Sequence, residues 1–149
     1  QDVNNLSGKV LRIDPITGKG LADNPFYNGD PDANRSKVFA YGMRNPYRIA
    51  PHPTLPKTVY VGDVGWSKWE EINRTTGGEN FGWPWYEGAF NSQTGPYLER
   101  TGGYRDLAAA TQFYNSPANA GVVAPTWAGN HSNGSRAIIM GDFISSPRY

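Results

Sequence analysis

The sequence predicts an all-β, loop-rich fold, and three observations carry that expectation. Glycine (18) and proline (12), with many Asn and Asp residues, interrupt the chain about every 8–12 residues. β-Branched and aromatic residues fill the short runs between the breakers, as in a sandwich, barrel or propeller. Heptads, low-complexity tracts and an obvious interdomain linker are absent.

The elements follow in order. Residues 9–14 (KVLRID) alternate polar and apolar before the turn at 15–18, which predicts a half-buried strand. Residues 24–35 read as a long polar loop rich in Asn, Asp and Pro. Strands are expected at 38–41 and 47–50, separated by an Arg-Asn-Pro corner. Residues 58–63 (TVYVGD) give the strongest strand, and 70–75 should pair with it before the Gly77-Gly78 break. From 86 to 119 the strand signal weakens, with loops at 101–104 and 115–119 and one short helix at 107–113. Residues 122–127 and 137–141 read as two last strands.

Composition excludes several functions. With 14 basic and 13 acidic residues scattered along 149 positions, there is no footprint for nucleic acid and no polybasic membrane patch. No apolar run approaches the roughly 20 residues that span a bilayer. Without cysteine there is neither a disulfide framework nor a thiolate metal site. Five Asn-X-Ser/Thr sequons begin at Asn5, Asn34, Asn73, Asn130 and Asn133, which points to a secreted, extracellular glycoprotein. Asn130 and Asn133 are too close for easy use of both.

Three spaced motifs carry the chemistry: Tyr-Gly-Met-Arg-Asn-Pro at 41–46, Gly-Asp-Val-Gly-Trp-Ser-Lys-Trp-Glu-Glu-Ile-Asn at 62–73, and Gly-Glu-Asn-Phe-Gly-Trp-Pro at 78–84. In that order they resemble the glucose/sorbosone dehydrogenase family, in particular its aldose-sugar-dehydrogenase and hedgehog-interacting-protein-like branches. The match is close over residues 7–84 and looser over 137–149. The resemblance implies a six-bladed β-propeller that holds pyrroloquinoline quinone (PQQ) and calcium at one end of its channel. A blade takes about 40–50 residues, so residues 1–149 would form part of one such domain, about three blades. Nothing in 146–149 resembles a polar tail or closing strand, and an open fan would expose edges suited to self-association.

The resemblance assigns roles residue by residue. Arg44 and Asn45 would contact the quinone, whose carboxylates suit an arginine fork and an amide. The bland alternative is a tight turn in which Arg44 pairs with a nearby acid. Backbone carbonyls of Gly65 and Trp66 would help hold an activating calcium, although Pro is common where Trp66 stands; a plain Gly turn is the alternative. Glu71 and the carbonyl of Phe81, ten residues apart across a hairpin, would hold a second calcium; otherwise Glu71 is a solvated acid beside a core aromatic. Trp69 and Trp83 suit packing, whereas Trp66 and Trp85 suit a surface where a sugar ring could stack. The family's base histidine lies upstream of the matched segment. Neither His52 nor His131 stands in its place, so this polypeptide alone should not oxidise a sugar. The rival reading is a non-catalytic extracellular module that binds a glycan or assembles with itself.

Overall fold

The computed structural model describes residues 1–144, folded as three antiparallel sheets joined by loops. Strand β1 (Lys9–Leu11) pairs with β2 (Val38–Tyr41), setting Val10 opposite Ala40. The turn after β1 is closed by Asp14, whose carboxylate accepts the N–H groups of Ile16 and Thr17. One helical turn, α1 (Asn34–Lys37), occupies the end of the segment expected to be loop and feeds directly into β2.

The largest sheet begins after the Arg-Asn-Pro corner. Strands β3 (Pro46–Pro51), β4 (Val59–Asp63) and β5 (Trp69–Thr75) form a meander, with Pro46 opposite Asp63 and Asp63 opposite Glu71. A hairpin the sequence did not announce follows, β6 (Tyr86–Asn91) with β7 (Gly95–Arg100). Helix α2 (Ala108–Tyr114) lies where a short helix was expected. Strand β8 (Trp127–Asn130) then returns to the large sheet beside β5, giving the order β3-β4-β5-β8. One four-stranded and two two-stranded sheets fit a fan of about three propeller blades.

Both final strands were misplaced. The expected strand at 122–127 contributes only an isolated bridge at Val122, and regular pairing starts at Trp127. Residues 137–141 form no strand. Met140 instead lies against the open backbone of Gly62, where an added Cβ would sit 2.7 Å from the Met140 nitrogen. The N–H of Ile138 goes to the Glu70 carboxylate at 3.0 Å rather than to a ladder carbonyl. The apolar run packs over a sheet face, which the same composition allows. The stretch 146–149 lies outside the described residues.

Two apolar clusters hold the sheets together: Val10, Phe39, Ala40, Met43, Val61 and Phe81 in one, and Trp69, Ala89 and Ala128 in the other. Full burial of a side chain such as Met43 or Val61 contributes roughly 1.5–3 kcal/mol. Met43 is therefore an anchor immediately before Arg44. Among the described residues no helix is long and apolar enough to cross a membrane.

Candidate functional site

The end of β4 meets the start of β3 at a buried carboxylate. Asp63 accepts the backbone N–H of Arg44 at 3.0 Å and that of Asn45 at 2.7 Å. Asn45 returns a bond, its carbonyl accepting the N–H of Val64 at 3.1 Å. Burial lifts the Asp63 carboxyl to about 6, against the opposing pull of the two N–H donors and the Arg44 charge. The acid expected near Arg44 is thus present, but it binds the main chain of the corner and leaves the guanidinium free.

That guanidinium reaches across to the loop after β4. Its Nη1 donates to the carbonyl of Val64 at 3.0 Å and to that of Gly65 at 2.8 Å. Its Cζ lies 5.8 Å from the Trp83 ring centroid. Gly65 is required by space: a Cβ there would fall 1.4 Å from the carbonyl oxygen of Trp69. The loop N–H groups turn inward to two more buried carboxylates. Gly65 donates to Glu70 at 3.2 Å, and Trp66 and Ser67 donate to Glu87 at 2.6 and 2.9 Å.

Arg44, Asn45, Gly65 and Trp66 therefore lie at one corner, Arg44 and Asn45 bonded to the Val64–Gly65 backbone. Trp66 is 42% exposed, stacked on Tyr104 with centroids 5.0 Å apart, and meets the edge of Trp83 at 5.8 Å. Trp69 is buried as expected, while Trp83 and Trp85 are half-buried. Arg44 and Trp83 also line a cleft of about 320 Å³, together with Gly8, Lys9, Met43 and Pro84 among others.

Glu71 is not the solvated acid of the bland reading. It is buried, with Oε1 accepting the Gly88 N–H at 2.6 Å and Oε2 accepting the Asn73 amide at 3.0 Å. Burial first, and the Asp63 charge second, push its carboxyl up to about 8. Beside it the Asn73 Oδ1 is buried without a partner. Phe81 is buried and donates its N–H to the Tyr41 carbonyl at 2.9 Å. The expected Glu71–Phe81 hairpin does not exist, because β5 pairs with β4 and β8 and not with the chain around Phe81. Among the described residues no three His, Cys, Asp or Glu side chains converge as metal ligands. The oxygens of this corner that meet a positive charge are the Val64 and Gly65 carbonyls, which converge on the Arg44 guanidinium.

The histidines are committed elsewhere. His52 Nδ1 accepts the N–H groups of Thr54 and Leu55 in its own turn, and His131 Nε2 lies 2.6 Å from Glu70 Oε1. The sequons divide sharply. Asn5, Asn34 and Asn133 are exposed and Asn130 is half-buried, capping the turn at His131–Asn133. Asn73 is corrected: at 0% exposure, on the inward face of β5 with its amide spent on Glu71, it leaves no room for a glycan.

The sequence reading missed Asp63, Glu70 and Glu87 as site residues. Asp63 and Glu70 lie inside the second motif; for Asp63 an acid in an otherwise apolar strand is the available signal, whereas Glu70 stands among polar residues and has none. Glu87 lies in β6, which the sequence did not announce.

A sequence model described as Glucose / Sorbosone dehydrogenase matches residues 1–135. The HIPL2 protein of Arabidopsis thaliana is 30% identical over 98% of this chain and 22% of its own length. The aldose sugar dehydrogenase YliI of Escherichia coli (strain K12) is 31% identical over 82% of this chain and 32% of its own. Among solved structures, the PQQ-bound form of aldose sugar dehydrogenase from Streptomyces coelicolor superposes with a TM-score of 0.50. It is 30% identical and covers 65% of this chain and 28% of that one. The chain thus spans between about a fifth and a third of these relatives.

Proposed function

This chain belongs to the glucose/sorbosone dehydrogenase family, and from that premise we propose that it forms one wall of a PQQ and calcium site in a secreted, aldose-oxidising protein. The observation that carries the reading is the meeting of Arg44 and the Gly65 carbonyl at 2.8 Å, from two separate motifs, with Arg44 also lining the cleft beside Trp83; the guanidinium would leave that carbonyl when the cofactor and cation bind. When bound, the quinone would supply the two-electron acceptor for oxidation of the sugar. Arg44 would grip a cofactor carboxylate with its fork, and the Asn45 amide would fix its orientation. The carbonyls of Gly65 and Trp66 would face the activating calcium, a hard cation that takes neutral oxygen ligands. Glu71, with the unpartnered oxygen of Asn73, is a second place for calcium, and the buried carboxyl would ionise on binding. The proton acceptor would lie outside these residues, since neither His52 nor His131 stands at the position of the family's base.

A second reading, a non-catalytic extracellular glycoprotein on the same scaffold, is favoured by the exposed acceptors Asn5, Asn34 and Asn133. In that reading the open strand edges would mediate assembly with copies of itself. Dye reduction by the whole protein separates the two. Aldose-dependent reduction that needs both PQQ and Ca²⁺ supports the dehydrogenase; its absence in protein that binds both would favour the scaffold.

A further inference from the structure

The inward hydrogen bonds of the loop after β4 have a consequence for its outward face. A trans peptide is planar, with its C=O and N–H directed oppositely. The peptides between Val64 and Ser67 are trans, since Trp83–Pro84 is the cis bond among the described residues. An N–H held inward therefore forces the carbonyl of the same plane outward. The Gly65 N–H, held by Glu70, belongs to the plane of the Val64 carbonyl. The Trp66 N–H, held by Glu87, belongs to that of the Gly65 carbonyl, and the Ser67 N–H, also held by Glu87, to that of the Trp66 carbonyl. Two of these three oxygens already meet a positive charge, the Arg44 guanidinium at 3.0 and 2.8 Å.

We propose that Glu70 and Glu87 are positioning residues for the cation: by gripping three successive N–H groups they aim and polarise the carbonyls of Val64, Gly65 and Trp66. This rests on the reading of the corner as a cation site. Glu87, 3% exposed on β6, is saturated, because the Ser67 hydroxyl also donates to it at 2.8 Å. Glu70 is equally committed, to the Gly65 and Ile138 N–H groups and to His131. An amide whose N–H donates to an anion carries a more negative carbonyl oxygen, so the carboxylates act on the guest without touching it. Their combined negative charge behind the loop also favours a doubly charged guest over a neutral one. The Trp66 N–H that Glu87 holds is one a proline at this position, common in the family, would lack, so the Glu87 grip on that peptide depends on the non-proline residue present in this chain.

The test is titration of the full chain with Tb³⁺ read by tryptophan-sensitised emission, with displacement by Ca²⁺. Wild type and an E71Q background are run in parallel so that ion held near Glu71 is separated. Glu87→Gln keeps an oxygen for the Trp66 N–H and removes the charge; the expected result is affinity lower by roughly 10–100-fold, the usual cost of losing a residue behind a metal ligand. The amide proton of Trp66 should move upfield in the same variant, which a purely structural loss elsewhere would not produce. Ser67→Ala keeps the three N–H groups but removes the hydroxyl that fixes Glu87 beneath them, and a smaller loss is expected; it serves if Glu87→Gln does not fold. Saturable wild-type binding that neither variant weakens overturns the positioning role while leaving the cation site in place. Failure of wild type to bind Tb³⁺ at all overturns the cation reading itself, and this inference with it.

Discussion

Arg44 Nη1 lies 2.8 Å from the carbonyl oxygen of Gly65, joining two residues 21 positions apart that belong to separate sequence motifs. The contact exists because Asp63 sits between them. Buried at the end of β4, it holds the main chain of the Arg44–Asn45 corner and delivers the following loop to the guanidinium. Everything proposed for the site depends on that clasp.

Asp63→Asn tests it. The amide offers one acceptor where the carboxylate offers two, so one backbone N–H of the corner loses its partner. The expected cost is about 1–3 kcal/mol in urea unfolding, with weaker PQQ binding. Unchanged stability and affinity would show that the corner is held by other contacts.

Stability should fall as pH rises toward the alkaline side, and Glu71 is the larger cause. The folded protein keeps its proton up to about pH 8, whereas the unfolded chain releases it near 4.5. The native state therefore binds more protons across that window, and unfolding becomes easier with each step in pH. Glu71→Gln removes its share of the decline and leaves that of Asp63, whose carboxyl is lifted to about 6. The variant's stability relative to wild type should rise between about pH 5 and about pH 8 by an amount on the order of 3 kcal/mol. Added Ca²⁺ should narrow that gap if Glu71 holds it. Parallel pH profiles for the two proteins would contradict the assignment.

Gly65→Ala should destabilise far more than Gly18→Ala. At Gly65 the new Cβ would meet the Trp69 carbonyl at 1.4 Å, and the loop must move at a cost of about 3 kcal/mol. Gly18 has φ 70° and open space, so alanine there costs about 1 kcal/mol through backbone conformation alone. Denaturant midpoints of the two variants give the comparison directly.

Much of this fold was legible because local signals and tertiary demands agree. At Val59–Asp63 the β-branched run is also the centre of the main sheet. The β6–β7 hairpin was not legible: Tyr86–Asn91 includes a glycine and Gly95–Arg100 a proline, and their pairing comes from register and packing against Trp69 and Ala128. The run at 137–141 misled for the opposite reason, since good strand composition was used to cover Gly62. For the candidate site, motif order singled out Arg44, Asn45, Gly65 and Trp66, which the fold places at one corner. Of the carboxylates behind them, only Asp63 leaves a local signal, an acid ending an apolar strand; Glu70 and Glu87 serve backbone N–H groups through contacts that only the tertiary fold creates.

Burial decides which sequons can be used. Expressed through a eukaryotic secretory pathway, the protein should carry glycans at Asn5, Asn34 and Asn133, and none at Asn73. Asn130 should be poorly occupied, because it is half-buried and stands only three residues from the exposed Asn133. Enzymatic deglycosylation in ¹⁸O water followed by peptide mass mapping reads each site. A glycan on Asn73 in folded protein would contradict the burial of β5.

The most direct measurement is an equilibrium titration with PQQ, followed by its absorbance, with and without Ca²⁺, on wild type and Arg44→Lys. Saturable binding that requires Ca²⁺ is expected. Lysine, lacking the planar fork, should weaken it by roughly 10–100-fold, the equivalent of about 1.5–3 kcal/mol for charge-assisted bonds. Binding that ignores both Ca²⁺ and the loss of Arg44, or no binding at all, would contradict the account.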